Sequence, residues 1–237
     1  MAKFKTATFL VASLLSLSMT QAMAADNDTN YDSEVSSLTN TAWIDFSDPT
    51  AVYSKIGLGS GTEGVDVYAS LGGYLTGRFE QRLTVEGIHD MDYVNVDYFV
   101  FNRSSETGFS LDSRWDSEYN EIVGGVVKKL IFVNNKALRV FPAMKFGIRW
   151  GLDNSVESTN FVELEVATRY NITPDFWVGI TPSYRYYLDD EDTDGFGGEN
   201  HDLTGNAEIG YQLAEEVAVS VHGNNDHEYW GVFTFAF

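Results

Sequence analysis

Apolar and polar residues alternate at period two through much of the chain. In 176–188, Phe176, Val178, Ile180, Pro182, Tyr184, Tyr186 and Leu188 fall on one face, and Trp177, Gly179, Thr181, Ser183, Arg185 and Tyr187 on the other. In 138–150, Leu138, Val140, Pro142, Met144, Phe146, Ile148 and Trp150 oppose Arg139, Phe141, Ala143, Lys145, Gly147 and Arg149. Segment 161–170 sets Val162, Leu164, Val166 and Tyr170 against Glu163, Glu165 and Arg169, and 203–213 sets Leu203, Ala207, Ile209, Tyr211 and Leu213 against Asn206, Glu208 and Gln212. Side chains of a strand point alternately to its two faces, so each segment reads as a β-strand with one apolar and one polar side.

The same pattern predicts strands near 51–59, 65–76, 78–88, 93–103, 107–116, 121–133, 137–151, 160–171, 175–188, 202–213, 216–223 and 228–237. That is twelve, with ten as the alternative, because 122–133 alternates poorly and the turn near 75–77 is weakly marked. Short turns at 134–135, 171–175 and 214–216 share one side, and longer loops at 152–159, 189–201 and 224–227 share the other. The predicted fold class is all-β, a transmembrane antiparallel up-and-down β-barrel. Its strands have the ~9–11 residues needed to cross a membrane at a tilt. Aromatics near strand ends (Trp150, Tyr170, Phe176, Tyr186, Tyr187, Tyr229) suit interfacial girdles.

The two ends of the sequence sharpen this. Lys3 and Lys5, the apolar run 7–17 and Ala22-Met23-Ala24 form the three parts of a secretory signal peptide over 1–24. The segment 229–237 alternates aromatics (Tyr229, Phe233, Phe235, Phe237) and resembles the C-terminal recognition signal of Gram-negative outer-membrane barrels. That resemblance implies location in the outer membrane, contact with its lipid and lipopolysaccharide, and delivery to the outer-membrane assembly machinery through Tyr229–Phe237. Between leader and barrel, 25–50 carries six acids (Asp26, Asp28, Asp32, Glu34, Asp45, Asp48) and no Lys or Arg. It reads as an acidic periplasmic segment, or as a plug anchored by Trp43 and Phe46 against basic residues of the lumen.

Composition removes other classes. The formal charge of −20 gives no basic footprint for nucleic acid, so none is expected as a partner. Cysteine is absent, which excludes a disulfide framework.

In a barrel the polar face lines the lumen. Its basic members are Lys55, Arg78, Arg82, Arg114, Arg139, Lys145, Arg149, Arg169 and Arg185; its acids are Asp66, Glu80, Glu86, Asp97, Asp112, Glu163, Glu165 and Glu208. Basic residues gather on three successive late strands and Asp97 and Asp112 on earlier ones, which would place a transverse field across a constriction. This predicts a porin-like channel for passive diffusion of small hydrophilic solutes, anionic ones included. The alternative is a non-conducting structural or surface-recognition barrel, sealed by pairs such as Arg139 or Arg149 with Glu163 or Glu165, with cation-binding acidic outer loops. In size, strand number and inward arginines the chain resembles small oligosaccharide-specific porins of bacteria that use acidic sugars, a likeness of architecture without a shared motif.

The loop 189–202 holds seven acids, and Asp190, Asp192 and Asp194 before Gly195 have the D-x-D-x-D-G spacing that folds carboxylates around calcium. The twelfth position of such a loop is His201 rather than Glu, so the full signature fails; calcium here is the one cofactor considered, and otherwise none is expected. No enzyme is predicted. Ser220 and His222 point inward together, and His222-Gly223-Asn224 resembles the His-x-Ser-Asn stretch of barrel lipid hydrolases, but no nucleophile follows the histidine. His89-Asp90 with Asp92 reads as a tight hairpin turn.

Overall fold

The computed structural model describes residues 44–132, 135–152, 158–188 and 201–237. Their strands are β1 (Lys55–Gly61), β2 (Gly64–Thr76), β3 (Phe79–Ile88), β4 (Tyr93–Asn102), β5 (Thr107–Trp115), β6 (Tyr119–Lys128), β7 (Leu130–Phe132), β8 (Asn135–Gly151), β9 (Thr159–Asn171), β10 (Phe176–Tyr187), β11 (His201–Ala214), β12 (Val217–Asn224) and β13 (Tyr229–Ala236). Sequence neighbours pair antiparallel, except β6 with β7, which both pair with β8, and β1 pairs with β13. β6 and β7 are therefore one stave interrupted at Lys129, and the sheet closes as a 12-strand barrel. Among the described residues closure pairs each of the twelve staves with a neighbour on both sides, the condition for a sheet to stand in lipid, where an unpaired backbone group costs several kcal/mol.

The alternation faces as expected. Leu203 (67% exposed), Met144 (62%), Ile180, Ile209 and Leu213 point outward, whereas Arg139 (6%) and Phe141 (1%) are enclosed. Exposed aromatics form two bands: Tyr74, Phe79, Phe109, Tyr170, Phe235 and Phe237 at the end where β1 starts and β13 stops, and Trp115, Tyr184, Tyr186 and Tyr229 at the other. These are called the near and far ends below. Tyr187 belongs to neither band; it turns inward against Phe161 and Arg149.

Three details depart from the expected pattern. The first strand starts at Lys55 rather than 51, because 51–54 is still leaving the lumen. Its backbone at Tyr53 passes so close to Gly72 that any side chain there would collide with it. On the sixth stave, Val123 and Val127 face inward as Glu121 and Tyr119 do, and the apolar inward pair hides the alternation. Finally, only the far connections 152–158 and 188–200 are long; the earlier far connections, 62–63, 89–92 and 116–118, are as short as the near ones. The turn at 89–92 is as read from the sequence, with His89, Asp90 and Met91 all left-handed (φ 52, 57 and 73°) and Asp90 Oδ1 accepting from Val65 N at 3.0 Å.

Candidate functional site: the charged lumen

Because inward positions alternate, each stave contributes a side chain about every 7 Å along its length. A cavity of about 740 Å³ occupies the interior, from Ser47, Asp48 and Pro49 at the near end to Arg114 and Trp230 towards the far end. Of the residues expected to line it, Arg82, Asp97, Asp112, Arg114, Lys145, Glu163, Arg169, Arg185 and Glu208 do so, together with Lys55 and Glu86. Glu165 lines a smaller adjoining cavity, and Arg149 lies among Tyr119, Tyr187 and Glu121. Arg139 is buried at the near end.

Arg78 is the exception. It sits exposed in the β2–β3 turn after Gly77, whose φ of +52° makes the reversal two residues before β3 begins. Asp190, Asp192 and Asp194 lie outside the described residues.

The basic track exists, but carboxylates interleave with it. Glu121 takes Arg149 Nη2 at 2.9 Å and Arg185 Nη1 at 2.9 Å; Arg185 Nη2 also reaches Glu163 at 2.7 Å. Lys145 then lies 3.2 Å from Glu163 and 2.8 Å from Glu165. This chain of pairs crosses the inner face of β6, β8, β9 and β10. Among the described residues, neither Arg149 nor Arg139 makes the pair with Glu163 or Glu165 that the sealed-barrel alternative named. Arg149 pairs instead with Glu121, which parity on the sixth stave would have placed inward but which the sequence reading did not single out. Arg169 meets Glu208 at 2.6 Å, and the Trp177 indole donates to the same carboxylate at 2.9 Å. On the opposite wall Asp97 and Asp112 are register partners, with Arg82 at 3.4 Å from Asp97, and Lys55 lies between the Tyr53 and Tyr68 rings.

Arginine faces in this lumen are also stacked. Arg114 lies 3.8 Å from the Tyr93 ring centroid and 5.0 Å from that of Tyr119; Arg149 lies 4.5 Å from Tyr119, and Arg185 lies 4.0 Å from Phe161. Each such contact contributes about 0.5–2 kcal/mol and fixes the plane of the guanidinium. The cations are thus held in fixed orientations by rings on one side and carboxylates on the other.

The near end carries a further layer. Residues 45–50 lie across the lumen, with Ser47, Asp48 and Thr50 buried. Arg139 donates to Asp45, to Ser47 Oγ and, at 2.9 Å, to Asn171 Oδ1. Lys129, at the break between β6 and β7, donates to Asp48 Oδ2 at 2.6 Å. From the other wall, Arg82 donates to the carbonyls of Pro49 and Ala51 at 3.1 and 3.0 Å. Burial alone raises the pKa of Asp45, but its bonds from Arg139 and Ser47 outweigh that and hold the carboxyl below the usual value.

Ser220, His222 and Glu208 approach a nucleophile–base–acid order, with Ser220 Oγ 2.8 Å from His222 Nε2 and Glu208 Oε2 3.7 Å from Nδ1. The imidazole is stacked on Trp230 at 5.2 Å, and Glu208 is committed to Arg169. β12 is laddered on both sides, by β11 and β13, so its backbone N–H groups near Ser220 are not free to hold an oxyanion. The trio is better described as part of the lumen's polar wall.

No protein-family model matches the sequence, and no curated protein matches it. Solved structures are similar to it in fold. They include the NanC porin in a rhombohedral crystal form (TM-score 0.51, 9% identity, 79% of this chain and 99% of that one). The KdgM porin has a TM-score of 0.51, 15% identity and coverage of 78% and 99%; it has also been solved in complex with disordered oligogalacturonate. An outer membrane channel from Pseudomonas putida F1 has a TM-score of 0.52, 9% identity and coverage of 81% and 98%. The shared feature is the barrel.

Proposed function

We propose that this chain is an outer-membrane channel through which small hydrophilic solutes, anions among them, diffuse passively. The observation that carries the reading is the polar cavity of about 740 Å³ along the barrel, walled by oriented ion pairs. A structural barrel needs only a filled interior, and Phe141, Phe161 and Trp177 show that this sequence can place large apolar groups inward. Along the cavity it places charge instead. Arginines held between a ring and a carboxylate can exchange that carboxylate for one on a passing solute without first reorganising, and so each is a weak transit site. The named porins and channel of similar fold support the reading, and the short turns of the near end then face the periplasm.

A second reading is a non-conducting barrel. It is favoured by the pairing of the lumen cations and by the residues lying across the near end. Single-channel recording in planar bilayers separates the two. The channel reading expects steady unit steps from protein whose fold is verified by its heat-shifted mobility on SDS gels. Folded protein that inserts without steps would overturn it.

A further inference from the structure

We propose that residues 45–50 are an exchangeable carboxylate strap: Asp45 and Asp48 occupy an anion site at the near mouth, and a solute carrying two or more carboxylates opens the passage by taking Arg139 and Lys129 from them. The inference rests on the channel reading for its consequence, though not for its geometry.

The cationic site belongs to the barrel wall. Asn171, at the end of β9, pins the Arg139 guanidinium, and Lys129 is fixed where β6 gives way to β7. The occupant is not part of the wall. Residues 44–54 form no strand, and what holds the strap to the barrel is chiefly charge: Arg139 to Asp45, Lys129 to Asp48, and Arg82 to two backbone carbonyls. Its own ring contact, Phe46 edge-on to Tyr53 at 5.6 Å, stays within the segment leading into β1. Asp48 Oδ1 takes Thr50 N and Oγ1 at 2.8 and 2.6 Å, which leaves Oδ2 directed at Lys129. The strap thus presents two preformed carboxylates to two wall cations, as a dicarboxylate solute would.

Replacing one carboxylate by another restores the same charge-assisted bonds, so exchange costs little beyond the tether's advantage. A short tether gives an effective concentration on the order of millimolar, so a polycarboxylate should compete in the millimolar range. A monocarboxylate replaces only one of the strap's two carboxylates, leaving the other to hold it.

The chain has no cysteine, so Ser47→Cys introduces a unique thiol in the buried strap. In folded protein its labelling by 4,4′-dithiodipyridine should be at least about tenfold faster once Asp45→Asn and Asp48→Asn are added. In the Ser47→Cys protein alone it should quicken severalfold with citrate at about 20 mM, beyond KCl of equal ionic strength. Thr50→Cys, buried in the same strap, repeats the measurement without touching the Ser47–Arg139 bond. Labelling of both thiols at the rate of an exposed cysteine, or rates unmoved by the asparagines and by citrate, would overturn the strap. Conductance tells its failure from that of the channel reading. Accelerated labelling with no conductance in either protein keeps the strap and removes the channel. Equal conductance in native and Asp45→Asn/Asp48→Asn protein, with unmoved labelling, removes the strap and keeps the channel.

Discussion

Glu121→Gln is the substitution whose consequences the lumen network specifies most fully. Glu121 is buried at 7% exposure and serves two guanidiniums, Arg149 and Arg185, each at 2.9 Å. Arg185 keeps Glu163 at 2.7 Å, whereas Arg149 loses the carboxylate that fixes it from β6. Removing one partner of a buried pair costs about 3–5 kcal/mol, and beside a hydrated cavity the lower end, about 3 kcal/mol, applies. The lumen also gains one positive charge. An ion passing ~6 Å from it in water feels ~0.7 kcal/mol, and screening at 0.1 M salt leaves roughly half. Raising anions and lowering cations by that amount shifts the chloride-to-potassium permeability ratio about threefold. The assay is the reversal potential in a bilayer under a KCl gradient. Adding Arg149→Gln should return the ratio to that of the native protein. A ratio unmoved in Glu121→Gln, or moved towards cations, would refute the assignment of these charges to the conducting path. An unfolding loss below about 1 kcal/mol in urea would refute the burial argument.

Other outcomes follow from the same geometry. A side chain at Gly210 would overlap the Trp177 ring, so Gly210→Ala should cost about 1–3 kcal/mol in urea unfolding and displace the indole from Glu208. Met144 points outward at 62% exposure, so Met144→Arg should cost about 2–4 kcal/mol for folding into liposomes, while Thr181→Arg, on the lumen side, should not carry that lipid penalty. The Asp45 carboxyl lies below its usual value, so its hold on the strap is complete above the unfolded value and is lost only as pH falls through the depressed folded one. The Ser47→Cys thiol should therefore stay protected into the ordinary carboxylate range and become reactive below it, relative to an exposed cysteine. Release above that range would contradict the Arg139–Asp45 pairing.

Much of the barrel was legible because its outward positions are mostly apolar. Where Ile180, Tyr184 and Tyr186 alternate with Thr181 and Arg185, the pattern places the strand and both faces. It failed where an inward position is apolar for local reasons, as with Val123 and Val127, and there Glu121 was lost with them. Arg78 was misplaced because Gly77 turns the chain before parity can act. Pairing was the least legible feature. Arg185 meets Glu121 across two intervening staves, and Arg139 meets Asp45 across a separation of 94 residues. Such partners are set by barrel closure and by where the preceding segment enters, neither of which leaves a periodic trace. The asparagine at 171 and the lysine at 129 gave no signal at all, since each acquires its role only from the residue the fold sets opposite it.

The central claim, that the charged lumen is a path for solutes, is tested most directly by single-channel recording of the native barrel beside its Asp45→Asn/Asp48→Asn variant. The account predicts steady unit steps, with a larger conductance once the two carboxylates no longer hold the strap across the near mouth. Folded, inserted protein that gives no steps in either form would contradict it.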